Sequence, residues 1–483
     1  MKRKVFFQLA LVAATAFGAA AQTVTVIPAS YAMPAGSVGT NQPGFMVRPY
    51  QTTAAPVATL AGTEDQLAGL DGPNLADLSG ADTNGYYTNS TVVNWSSTVG
   101  GSVDGFAPAD AFPGNVSGNY YSMEVLTYVQ FPAAGTYTMG VNSDDGFSLA
   151  TAQLNPKSAP SALIVGQYNT TRGPGDTLFS VSVSQAGIYP FRLVYWNYTG
   201  GAGLSWFNVI TNSTSTNYVL INDTSTPGAL NAYAVAKIAP PYISSFLHSP
   251  AGLNFTITDD KSALAPATLQ VKLNGTTIAV TTSKPSGTNV TTVTYTPPAL
   301  FPAGVTNTLA VQYSDNASPA NPVSATITFI EPPYTAIPAA AALPSTAVDT
   351  TKRGFLYRTH QIDSGAYGTL AANVAHAEAQ LAGLLIDPAS GTTYPSTATA
   401  GEQPDGSYAI NNGVVNFSYD PAQEQGVFNT ANGYPDAVLP GLTGSDSDNI
   451  ASEIVAYLDL KPGYYQFAVN CTEGFRVTVG ANP

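Results

Sequence analysis

The chain repeats itself, and the repeat sets its domain plan. Ile27-Pro28 returns as Ile337-Pro338, Met33-Pro34 as Leu343-Pro344, and GFMVRPYQ (44–51) as GFLYRTHQ (354–361), each at an offset of 310 residues. In the same order QLAGL (66–70) returns at 380–384, VVNWS (92–96) as VVNFS (414–418), and DAFPG (110–114) as DAVLPG (436–441). The longest match pairs EVLTYVQFPAAGTYTMGVNSDDGF (124–147) with EIVAYLDLKPGYYQFAVNCTEGF (453–475). Matches that keep their order over this length mean a duplicated domain. The first copy continues through GIYPFRLVYWNYTGGAGLSWFNV (187–209), for which nothing after Phe475 is equivalent. The second copy is therefore expected to be truncated, or to continue beyond the sequence given, since a sheet short of closing strands exposes its edges.

Between the copies lies a different unit, entered through IAPPYI and left through IEPPYTAIP. Its segments LNFTITDD, LQVKLNGTTIAVTT, NVTTVTYTPP, TLAVQYSDN and SATITFI alternate apolar with polar residues, as half-buried strands do. Asn274-Gly275 between two such runs predicts a type I′ hairpin, which needs positive φ at both positions. Spaced strands in this length predict an Ig-like sandwich acting as a spacer. One helical stretch is expected, at 369–385, where Leu370, Val374, Ala377, Leu381 and Leu384 share a stripe. His376 and Glu378 fall off that stripe; HAEAQ lacks the second His of a zinc helix and reads as a solvated face. The fold class is all-β, tandem β-sandwich domains. The divisions are an export signal at 1–21, a sandwich at 22–235, the Ig-like spacer at 236–332, and the second copy at 333–483.

Where the protein works follows from its start. Lys2, Arg3 and Lys4 precede an apolar run ending near Phe17 and then GAAAQ, the pattern of an export signal cut after Ala21. The run is roughly half of the ~20 residues that span a bilayer, and no later segment is long and apolar enough. The mature chain is expected to be exported, secreted or on a bacterial cell surface, without membrane insertion. Losing those three cations leaves 13 basic residues against 30 acidic ones, so the formal charge moves from −14 to −17. Nucleic acid and anionic membrane, which are gripped by Lys and Arg, are poor partners for such a surface. Hard cations and neutral sugars remain open. Cys471 is the only cysteine, which leaves no intrachain disulfide.

VNSDDGF (141–147) places Asp144 and Asp145 where an alternating strand runs out. Adjacent carboxylates repel and lose stability if buried. A calcium ion resolves this by taking six to eight oxygens, carboxylates and carbonyls among them. Two aspartates do not fill that shell.

GTYTMGVNSDDGFSL, followed by AGIYPFRLVYWN, resembles the protective-antigen-type β-sandwich domain. That module occurs in anthrax protective antigen, in yeast flocculins and related adhesins, and as insertions in bacterial glycosidases. The resemblance covers about 30–212 and again about 340 to the end. It implies a calcium ion on Asp144 and Asp145, joined by a cis peptide, with Asn197 of RLVYWN as a third ligand. It further implies carbonyls near Thr199 and Gly201 as ligands, and vicinal sugar hydroxyls completing the shell. Tyr198 or Trp196 would face a sugar ring while the other is core.

The second copy departs at that place. Aligned on the glycine, Ser143, Asp144 and Asp145 become Cys471, Thr472 and Glu473, so calcium is expected in the first copy only. Cys471 then reads as a small loop residue. Arg48 and Arg358, present in both copies, are expected to pin a strand or a carboxylate. Asp259-Asp260 reads as a loop, and GSDSDN (444–449) as an exposed turn. The three histidines, His248, His360 and His376, lie in no catalytic motif, and adjacent aspartates do not flank a sugar from both sides, so no active site is expected. Two readings stay open: an exported calcium-dependent carbohydrate-binding protein, or a structural stalk of a large surface protein. Either accommodates a catalytic domain further along, which would make this the non-catalytic part of a secreted glycosidase.

Overall fold

A computed structural model describes residues 24–480 apart from 104, 117, 412, 424–427, 431, 432 and 443–445. The expected export signal, 1–21, and the first residues of the turn at 444–449 lie outside the described residues. The chain divides into two units, Met1–Pro332 and Pro333–Pro483. Strands dominate both, and the fold is all-β.

The first unit opens with two sheets. One runs β1 (Val24–Ile27), β9 (Gly175–Val183), β6 (Gly135–Asp144), β11 (Gly203–Thr211) and β12 (Thr216–Leu220), with β4 (Asn94–Ser96) also on β11. The other runs β3 (Tyr87–Asn89), β2 (Phe45–Gln51), β5 (Tyr121–Phe131), β10 (Gly187–Asn197), β7 (Gly146–Thr151) and β8 (Leu163–Tyr168), with β13 (Asn231–Tyr233) also on β5. Val141, Leu204 and Trp206 of the first sheet meet Met123, Leu149 and Phe191 of the second in one buried core. β5 and β10 are buried along most of their length on both faces, the polar Ser122, Glu124, Thr127 and Arg192 included.

What covers their outer face is α1 (Leu60–Leu67), a helix the sequence reading did not anticipate. It carries no long apolar stripe. Thr59 caps it by accepting from the Gly62 amide, and Gly62 lets it approach Val57, whose carbonyl oxygen would stand 2.1 Å from an added Cβ. Beneath the helix, Glu124 of β5 is buried between two arginines on its flanking strands. Arg192 Nε of β10 donates to Glu124 Oε1 (2.6 Å), and Arg48 Nε of β2 to Oε2 (3.0 Å). Tyr86 Oη donates to the same Oε2 (2.5 Å), and both Arg192 Nη atoms reach Glu64 of α1. Burial pushes the Glu124 carboxyl up, but the two guanidinium groups and the Tyr86 bond outweigh it and bring it down to about 2.

The rest of this unit is a second two-sheet sandwich. Its sheets are β14 (Tyr242–Ser249), β15 (Gly252–Thr258), β19 (Val290–Tyr295), β18 (Thr281–Ser283), and β17 (Thr276–Thr277), β16 (Gln270–Leu273), β20 (Thr306–Ser314), β21 (Pro322–Ile330). Asn274 and Gly275 join β16 to β17 with φ of 49° and 82°, both positive as expected for the hairpin. Its core is shared with its neighbour: Met33, Tyr128 and Leu154 of the first sandwich pack among Ile243, Phe255 and Tyr313. Asp260, in a loop as expected, accepts from Asn155 Nδ2 (3.0 Å) and Lys157 Nζ (3.1 Å) across that junction.

In the second unit β22 (Gly354–Gln361) lies between β23 (Tyr408–Asn411) and β26 (Ile450–Val455), beside a short parallel pair, β24 (Phe417–Ser418) and β25 (Ala437–Val438). Arg358 pairs with Glu453 (2.7 Å) as Arg48 does with Glu124, so the shared arginines are architectural in both copies. The expected helix at 369–385 is shorter. After α2 (Ser364–Tyr367), α3 runs Val374–Leu381, because the Asn373 side chain caps it by accepting from the His376 amide and Gly383 leaves it at φ 66°. Leu370 and Leu384 fall outside it. Its one buried residue is Gln380, which donates to the His360 and Asn449 carbonyls, as Gln66 of α1 donates to the Tyr120 carbonyl. Residues 456–480 form no assigned strand. In the first copy the matching strands pair with β9, β10 and β11, and the sequence given holds no counterpart of those partners.

The depressed Glu124 carboxyl sets a pH dependence. Its stabilisation is full above the ordinary carboxylate range and is lost as pH falls through about 2. Glu124→Gln removes that acid limb and leaves two arginines without their partner, at a cost on the order of 3–5 kcal/mol in urea unfolding at neutral pH. Leu154→Ala is expected to lower the melting of both sandwiches of the first unit together, by roughly 2–4 kcal/mol. A loss confined to one sandwich in calorimetry would contradict the shared core.

Candidate functional site

Asp144 and Asp145 stand where the chain passes from one sheet to the other. β6 ends at Asp144, paired with Gly203 of β11, and β7 begins at Gly146, paired with Trp196 of β10. The peptide between the aspartates is cis. Trp196 lies flat on the strand start: a Cβ on Gly146 would be 2.1 Å from Trp196 Cζ2. Trp196 is thus core, and Tyr198 is the half-exposed aromatic of the pair.

The two carboxylates differ in surroundings. Asp145 is buried at 5% exposure, and backbone amides hold both oxygens: Arg172 N donates to Oδ1 (3.0 Å) and Tyr198 N to Oδ2 (2.6 Å). Among the described residues nothing donates to the Asp144 carboxylate; only its main-chain carbonyl is engaged, by Tyr195 Oη (2.5 Å). Burial first, and the Asp145 charge second, push the Asp144 carboxyl up to about 6, against the opposing pull of Arg172. The 199–202 loop lies beside it, since a Cβ on Gly201 would be 3.7 Å from Asp144 Oδ2.

Asn197, at the end of β10, is 1% exposed. Its Nδ2 donates to the Gly118 carbonyl (2.8 Å), which fixes the amide orientation and leaves Oδ1 buried without a partner. An orphaned buried acceptor calls for an explanation. One unpartnered carboxylate at the end of β6 and one unpartnered amide oxygen at the end of β10, strands of the two different sheets, form an acceptor-only set that fits a hard cation. Thr199 and Gly201 are exposed in the loop that follows. No group of three His, Cys, Asp or Glu side chains suited to a metal occurs among the described residues, so any ion must draw on neutral oxygens as well.

Sequence reasoning missed Arg172. It lies in the loop between β8 and β9, its guanidinium 4.1 Å above the Tyr168 ring. Nε donates to the Ser143 carbonyl (3.1 Å), Nη2 to Ser143 Oγ (2.7 Å) and Nη1 to Thr177 Oγ1 (3.0 Å). Ser143 Oγ in turn donates to the Asp145 carbonyl (2.7 Å). The side chain braces the main chain just before the aspartate pair, and the Arg172 amide holds Asp145 itself. TTRGPGDT carries no local signal of this, because the contacts to Ser143 and Asp145 cross to a strand end nearly thirty residues earlier. In the second copy Cys471 Sγ donates to the Glu473 carbonyl (3.1 Å), the same turn bond as Ser143 makes, with one carboxylate gone.

No family model matches the chain, and no curated protein does. Among solved structures it is similar to the PA14 domain of the MpAFP antifreeze protein, with 13% identity, 40% of this chain and 93% of that one covered, and a TM-score of 0.26. The Epithelial Adhesin 9 A domain from Candida glabrata, solved with Galb1-3GlcNAc, is 14% identical over 42% of this chain and 99% of its own, with a TM-score of 0.27. The PA14 sugar-binding domain from an RTX adhesin is 14% identical over 37% and 96%, with a TM-score of 0.24. At TM-scores this low the likenesses carry no argument about what this chain does.

Gly146→Ala forces a Cβ into Trp196 and the Thr170 carbonyl and is expected to destabilise by about 1–3 kcal/mol. Gly173→Ala, with nothing within 4 Å of the added Cβ, serves as the matched control and is expected to leave the melting temperature unchanged.

Proposed function

We propose that this chain is the sugar-binding part of an exported, adhesin-like protein of the protective-antigen type, and that its first sandwich binds glycans through calcium. Asp144, Asp145 and Asn197 hold the ion, with carbonyls of Thr199 and Gly201 as further ligands and Tyr198 beside the sugar. The observation that carries this reading is the buried Asn197 Oδ1 without a donor, on a strand end tied to the aspartate pair by the Asp145 amide on the Trp196 carbonyl and the Tyr198 amide on Asp145, where the Asp144 carboxylate accepts no hydrogen bond among the described residues. Calcium, when bound, supplies the missing positive charge and leaves coordination positions that vicinal hydroxyls can take. The residues of the chain bind and orient, and no bond is broken. Asp145, fixed by two amides, sets the position of the pair, while Asn197 closes the cradle from β10.

The acidic surface suits a neutral glycan partner and disfavours nucleic acid. Among the described residues no helix is long and apolar enough to cross a membrane. The basic start at Lys2–Lys4 supports export to the outside or the cell surface. The second copy, with Thr472 and Glu473 at the corresponding turn, is read as a spacer.

A glycan array probed with the full chain, in calcium and in chelator, tests the function. Binding is expected in calcium, abolished by chelator and absent in Asp144→Ala. Binding that survives both would remove the ion from the account, and silence from a folded chain would favour the stalk reading.

A further inference from the structure

Tyr120 holds a backbone conformation that its side chain disfavours. Its φ is +59°, in the left-handed region where a Cβ crowds the following carbonyl. Glycine and asparagine sit there readily, and a bulky aromatic is an outlier. The conformation is imposed from outside. The Tyr120 amide donates to the Tyr198 carbonyl (3.1 Å), and its own carbonyl accepts from Thr52 N (3.0 Å) and Gln66 Nε2 (2.8 Å). The residues before it run along the proposed ion loop. Gly118 O takes the Asn197 amide, and Asn119 Oδ1 takes the Gly200 amide (3.1 Å).

Every bond at position 120 uses main-chain atoms, so glycine or asparagine would serve the turn better. The Tyr120 hydroxyl makes no hydrogen bond among the described residues. What the tyrosine adds is a ring, set edge-to-face against Tyr198 with centroids 5.4 Å apart and planes at 66°. Both rings are half-exposed, and the Tyr198 amide is bonded to Asp145 Oδ2. A strained aromatic at the rim of a site is an outlier from which function can be argued.

We propose that Tyr120 contacts the ligand, forming with Tyr198 an aromatic corner against which the apolar face of a pyranose packs. This rests on the calcium-glycan reading of the Asp144–Asp145 site and narrows it. Two rings at a steep angle make a corner and not a flat platform. A pyranose has an apolar C–H face and a polar hydroxyl edge, so its face meets the rings while its vicinal hydroxyls meet the ion. The class of ligand is a neutral pyranose with two adjacent hydroxyls at one edge.

The test uses Tyr120→Asn in the full chain, a residue at ease at positive φ that keeps the main-chain bonds. Three quantities are measured: melting temperature, calcium affinity by calorimetry, and binding to immobilised galactose-, mannose-, glucose- and fucose-terminated glycans. The expected result is a melting temperature equal to or above wild type, unchanged calcium affinity, and sugar binding weaker by about tenfold or more. Unchanged sugar binding overturns the proposal. So does a parallel fall in melting temperature and calcium affinity, which makes the ring a structural prop. A wild-type chain that takes calcium but no sugar overturns this inference and the sugar half of the function, leaving the ion site standing; one that takes neither sinks both.

Discussion

Glu124 is held between Arg48 and Arg192, and this buried carboxylate fixes the order of three strands. β2, β5 and β10 each contribute one charge, while Tyr86, Glu64 and the Leu67 carbonyl take further bonds of the network. A buried ion network of this kind is weak evidence for stability but sets register sharply, since a shift strands a charge in the core. Register matters because β10 ends at Asn197. A slip of one residue would turn that amide to the opposite face.

The site inherits its geometry from that frame. β6 belongs to one sheet and β7 to the other, so the aspartate pair bridges the two layers at a corner where strands from both sheets end. Two oxygens of Asp145 are satisfied by amides, whereas Asp144 and the Asn197 Oδ1 are not. Acceptors gathered without donors are costly, and the rise of the Asp144 carboxyl to about 6 expresses that cost. A divalent cation, as proposed, would reverse the sign of the arrangement: the same oxygens that repel one another would become a cradle.

Much of this was legible in the sequence because duplication retained what builds the frame. Arg48 and Arg358, Gln66 and Gln380, and Ser143 and Cys471 make equivalent bonds in both copies, the two glutamines to the Tyr120 and Asn449 carbonyls. The Asn-Gly hairpin was legible because two positive φ values restrict residue choice. α1 was not, since its seating depends on Gly62 and a buried Gln66 in place of an apolar stripe. The helix at 374–381 was overextended because apolar periodicity runs past its caps at Asn373 and Gly383. Arg172 was invisible for a different reason, as its bearing on the aspartate pair comes through Ser143 and Asp145, far away in sequence. That the middle module shares a core with its neighbour through Leu154 also left no sequence mark.

The most direct measurement is a crystal structure of the full chain grown in calcium, with the ion identified by its anomalous signal. The account predicts one peak at the first-copy corner, with Asp144, Asp145 and Asn197 Oδ1 as ligands at about 2.4 Å, and none at Thr472–Glu473. Asn197 Oδ1 and Asp144 bridged by water alone, with calcium absent from that corner, would contradict it.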